Sequence, residues 1–362
     1  MIQARLSKVT DAMNSANVDV LFLSSPASMG YLAGFFEDGH ERLMVLAVRS
    51  SGETALICPA LSHSQAERCG IKQIQSWKDG EDPMRLVANL AKEWSLDRAV
   101  IGVDAEMRAD ILLGIQNVLP AAAYHSAEKC VAAAMSTKDD EELDALRRAG
   151  AVVDEVYREL LKELGPGMSE VAIEGIIRNK VLAKGAKPTF CIVGTGAGSA
   201  EPHHLNGDSL TAVGELLLLD FGCEVDHYQA DITRVVGIGN CGEEARHVYR
   251  VVFEAHRAAK NAVSIGTPLA EVDKAARKVI EDAGFGEFFT HRTGHGIGIR
   301  GHEQPNVSAD NATLLELGHC FSIEPGIYLP GKFGVRLENI YSCGANGAIS
   351  KNEEFEEELL EL

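Results

Sequence analysis

The alternation of apolar and polar positions divides the chain into two stretches of different rhythm. Residues 4–17 carry apolar side chains at helical spacing, and 19–24 (DVLFLS) form an apolar run of strand length. Further strand patterns fall at 43–48, 54–58 and 99–103, with helical patterns at 62–69, 83–95 and 105–118 between them. Strands alternating with helices over about the first 130 residues predict a small α/β domain with a largely covered sheet.

The rhythm changes at 130–137, and the boundary is placed so that one domain covers 1–132 and the next 133–362. Ser136 or Thr137 can cap a helix with acidic residues in its first turn, running to about 164, where Gly165-Pro166-Gly167 stops it. A second helix is predicted at about 169–183, strands at 190–193, 215–221, 230–237, 319–323 and 335–343, and helices at 243–264 and 268–283. The acidic end, EEFEEELLEL, reads as a solvated segment, and no short-period repeat is evident.

Composition narrows the classes. Of 362 residues, 46% are hydrophobic and 24% charged, which suits a folded protein and not a disordered one. No apolar run reaches membrane-spanning length, and the first residues lack a signal-peptide core, so a cytoplasmic protein without membrane contact is expected. A net charge of −19 disfavours nucleic acid, which needs clustered Lys and Arg. Eight cysteines without a C-x-x-C pair read as reduced, mostly buried thiols.

Four motifs carry candidate chemistry. Asp220 closes the apolar run Leu216–Leu219, and Asp231 follows eleven residues later; two adjacent antiparallel strands could bring them together. His295 lies among glycines in Thr293-Gly-His-Gly-Ile-Gly298, where the backbone can approach a ligand closely. Glu324 closes another apolar strand, and Glu338 lies inside a strand-like run, where a buried charge needs a partner or a metal. Four carboxylates and one imidazole suit a pair of divalent cations, Mn²⁺ or Co²⁺ first, with Zn²⁺ or Fe²⁺ as alternatives. The glycines at 194, 196 and 198 lack the spacing of a dinucleotide fingerprint, since position 199 is serine, and are read instead as a flexible loop delivering His203.

The order Asp220, Asp231, His295, Glu324, Glu338, with these flanks, resembles the pita-bread metallopeptidases that include prolidase and aminopeptidase P. Tyr31-Leu-Ala-Gly-Phe35 resembles the creatinase-type N-terminal domain of the same group, which methionine aminopeptidases lack. The resemblance implies an α/β N-terminal domain followed by an α+β pita-bread catalytic domain. It implies that Asp220 chelates one metal, Asp231 and Glu338 bridge both, and His295 and Glu324 hold the second. Glu324 is then the proton acceptor for a bridging water, whose hydroxide attacks the carbonyl before proline. The resemblance further implies catalytic or substrate-facing roles for His203, His302 and His291, whereas His204 is read as structural. Arg336 and Tyr328 are substrate-binding candidates, with pairing to a buried carboxylate and sheet packing as their respective alternatives. A proline-containing di- or short peptide is the expected substrate and a homodimer the expected assembly.

The match departs at the substrate end. Some prolidases carry an arginine where this chain has Asn306, and Arg300 stands where many relatives carry an acidic residue. A dipeptide's free carboxylate needs a cation. Either Arg300 supplies it or longer Xaa-Pro peptides are accepted. Other readings on the same fold are a hydrolase or lyase of small molecules and a non-catalytic binding module.

Overall fold

The computed structural model describes residues 2–362. It divides into two compact units, Met1–Met135 and Ser136–Leu362. No helix among the described residues is long and apolar enough to cross a membrane.

The first unit is built on a six-stranded sheet. In spatial order its strands are Ile74–Trp77, Thr54–Pro59, Val45–Arg49, Val20–Leu23, Val100–Val103 and Ala123–Ser126. Val20–Leu23 runs antiparallel to Val45–Arg49 and parallel to Val100–Val103. Helix Met84–Trp94 buries Val87, Leu90, Ala91 and Trp94, positions i, i+3, i+4 and i+7 of one face. The two strands absent from the sequence reading, Ile74–Trp77 and Ala123–Ser126, are short and half polar. Tyr31-Leu-Ala lies in an unexpected helix, Pro26–Ala33, capped by Ser25 and ended by Gly34 at φ 65°. That helix is buried nearly all round, so no amphipathic period reveals it.

The second unit has two helix-backed halves. In one, helices Asp140–Leu160 and Glu170–Ala183 cover a three-stranded sheet of Lys187–Thr195, Glu215–Val225 and Tyr228–Ile238. In the other, helices Gly242–Ala262 and Leu269–Asp282 pack with strands Gly294–Gly296, Glu303–Val307, Cys320–Ile323, Asn339–Gly344 and Gly347–Ser350. A hairpin of Gly326–Leu329 and Phe333–Arg336 joins that core. The long antiparallel pair is two-faced. Leu217, Leu219, Phe221 and Cys223 point to the first pair of helices, while Leu216 and Leu218 point to the other core. Asp220 continues the second set by period two.

Four local expectations are corrected. The first helix is capped by Asp139, not by Ser136 or Thr137: Asp139 accepts from the Glu142 amide and Glu142 returns the bond. Asp220 does not end its strand, which continues to Val225. The run 335–343 is two strands, interrupted where the Glu338 amide turns away to donate to the Thr233 carbonyl at 3.2 Å. The acidic end is not simply solvated. Leu359 is buried, Leu360 and Leu362 exchange backbone hydrogen bonds with Gly237 and Gly239, and Glu361 accepts from Arg246.

Candidate metal centre

Strand register places the two aspartates. Asp220 pairs with Thr233 and Gly222 with Asp231, so Asp220, Asp231 and Thr233 share one face of the sheet. Gly222 must be glycine there, because a Cβ would lie 2.3 Å from the Ala230 carbonyl oxygen. From the other half come His295 on Gly294–Gly296, Glu324 just after Cys320–Ile323, and Glu338 at the strand interruption. His295 Nε2 lies 3.4 Å from Glu324, 3.7 Å from Asp231 and 3.9 Å from Glu338. Oxygen atoms of Asp220, Asp231 and Glu338 form one group spanning no more than 4.8 Å, and His295, Glu324 and Glu338 form another. All five residues proposed as ligands are thus brought together.

Their electrostatics call for cations. Burial, then repulsion from the neighbouring carboxylates, pushes Asp231 and Glu338 well above the usual carboxylate range, and burial raises Glu324. Asp220 Oδ1, Asp231 Oδ1 and Glu338 Oε1 are buried without a hydrogen-bond partner. Orphaned oxygens facing one another are what a divalent cation satisfies, so the donor set fits a pair of hard or borderline metals. Burial also lowers the His295 imidazole to about 4, which keeps it neutral. Its Nδ1 faces the Gly296 carbonyl at 3.0 Å and must donate there, which leaves the Nε2 lone pair toward the carboxylates.

The supporting shell is dense. Arg336 donates to Asp220 Oδ2 at 2.6 Å, to Thr233 Oγ1 at 3.1 Å and to the Tyr328 hydroxyl at 2.8 Å. Thr233 donates to Glu338 Oε2 at 2.7 Å. Arg234, on the opposite side, donates to the Glu338 carbonyl and to Asn339. Ser322 donates to Glu324 Oε1 and receives the His295 amide. The sequence reading missed Thr233 and Arg234, although both stand in the motif Ala-Asp231-Ile-Thr-Arg.

A cavity of about 870 Å³ opens over this centre. His203, His291, His302 and Arg336 line it, with Phe190, Ile192 and Pro202 as apolar wall and Arg292 as a further cation. His302 stacks against His295 with ring centroids 3.8 Å apart. His291 is engaged at both nitrogens, with the Arg292 carbonyl at 2.7 Å and the Tyr328 hydroxyl at 2.8 Å. Two expected substrate contacts do not line the cavity. Tyr328 is buried behind His291 and Arg336, outside the lining. Arg300 is also outside it, on a turn whose amide is held by Glu303. Asn306 is absent from the lining too.

The loop carrying His203 is clamped by hydrogen bonds to one carboxylate. Fully buried Glu170 accepts from the Thr195 and Gly207 amides at 3.0 and 2.9 Å, and pairs with His204 Nε2 at 2.9 Å. His204 is structural, as the sequence suggested.

Residues 144–344 match the model of metallopeptidase family M24, and residues 5–135 match the creatinase/prolidase N-terminal domain. A protein of Mycobacterium tuberculosis named probable dipeptidase PepE is 34% identical over 96% of this chain and 93% of its own length. A prolidase structure from Thermococcus sibiricus superposes with a TM-score of 0.95 at 31% identity, covering 100% of this chain and 99% of that one. A dipeptidase structure from Pyrococcus horikoshii gives 0.94 at 31% identity, covering 99% and 100%.

Proposed function

This chain belongs to metallopeptidase family M24, with a creatinase-type N-terminal domain ahead of a pita-bread catalytic domain, and on that premise we propose that it is a dinuclear-metal Xaa-Pro dipeptidase. The observation that carries the dinuclear reading is the set of orphaned oxygens on Asp220, Asp231 and Glu338. Asp220, Asp231, His295, Glu324 and Glu338 would hold the ions. When bound, a cation pair supplies Lewis acidity and lowers the pKa of water, so that a nucleophile is available near neutral pH.

The chain's own groups do the rest. Glu324, whose carboxylate stands among the grouped ligands and in the cavity lining, takes the proton released by the attacking water. The same proton passes to the leaving nitrogen as the C–N bond breaks. His203 and His302 line the cavity and donate to the carbonyl oxygen as charge develops on it. The scissile nitrogen is proline's own and carries no hydrogen, so the site needs no acceptor for it, and Phe190, Ile192 and Pro202 offer an apolar wall to a pyrrolidine ring. Relatives named prolidase and dipeptidase support the substrate class.

The test is to strip the protein, reload it with Mn²⁺, Co²⁺, Zn²⁺ or Fe²⁺, and assay Ala-Pro, Ala-Pro-Ala and Ala-Ala. Hydrolysis of Ala-Pro with about two ions per chain is expected. Cleavage of neither proline peptide with any metal sinks the Xaa-Pro reading, and cleavage of the tripeptide alone moves it to an aminopeptidase. A homodimer belongs to the same proposal and is checked by light scattering.

A further inference from the structure

With the four carboxylates of the catalytic cavity committed to cations, the free carboxylate of a dipeptide drawn out of water there needs a separate fixed cation to pair with. Two arginines stand in the cavity wall, Arg336 and Arg292. Arg336 is committed: it is buried, with its donors on Asp220, Thr233 and Tyr328. Arg292 is half-buried, and among the described residues no carboxylate lies within ion-pair distance of it; its one side-chain contact is to His302 Nδ1 at 3.5 Å.

The backbone around Arg292 is pinned on both sides. The Thr293 amide and hydroxyl donate to fully buried Asp273 at 3.1 and 2.8 Å. Arg277, itself bonded to Asp273, donates to the carbonyls of Phe289 and His291. Helix Leu269–Asp282 therefore holds the segment in place while leaving one guanidinium turned to the cavity. A charged side chain held this way without a carboxylate partner is built to receive a ligand.

We infer that Arg292 is the cation that pairs with the C-terminal carboxylate of a bound dipeptide, which makes free-acid dipeptides the preferred substrates of this site. The inference rests on the dipeptidase reading above and extends it to a residue at a position other than 300 or 306. Only the His302 ring separates the guanidinium from the ligand imidazole of His295. The guanidinium thus stands in the cavity wall within reach of the groups proposed to hold the metals. The planar guanidinium can meet a carboxylate with two parallel hydrogen bonds, which an amide cannot match.

The experiment pairs Ala-Pro and Ala-Ala with their C-terminal amides, on metal-loaded wild type, R292Q and R292K, with bound metal measured in each. Wild type is expected to favour the free acid over its amide by about 10- to 100-fold in kcat/KM. R292Q brings the two twins within about threefold of each other at unchanged metal content, and R292K restores part of the preference. Equal use of acid and amide by wild type, or a preference surviving in R292Q, overturns the inference. If Ala-Ala shows the full pattern and Ala-Pro is not cleaved, the proline reading fails and Arg292 keeps its role. Cleavage of neither dipeptide overturns both.

Discussion

The Arg336 guanidinium donates to Asp220 Oδ2 at 2.6 Å, while Oδ1 of the same carboxylate is buried with no partner. One oxygen is held and the other presented. R336Q is expected to loosen Asp220 and lower metal affinity by about 10- to 100-fold, and R336K to lose less. Metal-buffered titration of both variants checks this; unchanged affinity in R336Q means the ion pair does not orient the ligand.

Removing the ions should cost stability as well as activity. Asp231, Glu324 and Glu338 are all raised by burial first, and bound cations relieve both that penalty and the mutual repulsion. Excess Mn²⁺ at a hundredfold its dissociation constant should stabilise the protein by about 2.7 kcal/mol for one site. Calorimetry with and without chelator reads it. E338Q should abolish most of the metal-dependent gain, and a full gain in E338Q would place the ions elsewhere.

Glu170 positions the His203 loop without touching the cavity. E170Q leaves one amide oxygen where two carboxylate oxygens accept from Thr195 and from Gly207 and His204, at a cost of about 1–3 kcal/mol for each buried donor left unpaired. The expected signature is a lower kcat/KM for Ala-Pro with metal content intact. Loss of metal together with activity would make the effect general unfolding.

His256 supplies a pH dependence remote from the centre. Burial first, then the charges of Arg234 and Lys260, lower its pKa from 6.5 to about 3. The unfolded chain therefore takes the proton first, and the native state binds fewer protons between those values. Stability falls as pH drops below 6.5, by about 1.4 kcal/mol per unit from this group, and the loss saturates near pH 3. Urea unfolding of wild type and H256Q at pH 6.5 and 5 should show wild type losing about 2 kcal/mol more than the variant. Parallel losses would mean that His256 titrates normally.

The proposed ligands could be singled out because the carboxylates close or interrupt apolar runs, and a charge there demands an explanation. Amphipathic helices such as Met84–Trp94 were legible for the same reason, through period. What period cannot show is an element buried on all sides, such as Pro26–Ala33, or a half-polar edge strand such as Ile74–Trp77. Arg292 was not singled out because what holds its segment is the Asp273–Arg277 clamp, formed by residues fifteen or more positions before it. The acidic end was misread because charge along EEFEEELLEL hides the pairing of Leu360 and Leu362 with the strand that carries Asp231.

Asp220 and Asp231 belong to one helix-backed half of the catalytic unit, and His295, Glu324 and Glu338 to the other. Ions held between them are rivets through a seam. Thr233 and Glu338 already stitch that seam with a backbone and a side-chain bond. Metal availability in the cell would then set how tightly the halves are fastened, and not only how fast a peptide is cut. A metal-starved population should open first along this line, with the amide of Glu338 exchanging its hydrogen well before those in the middle of strand Glu215–Val225.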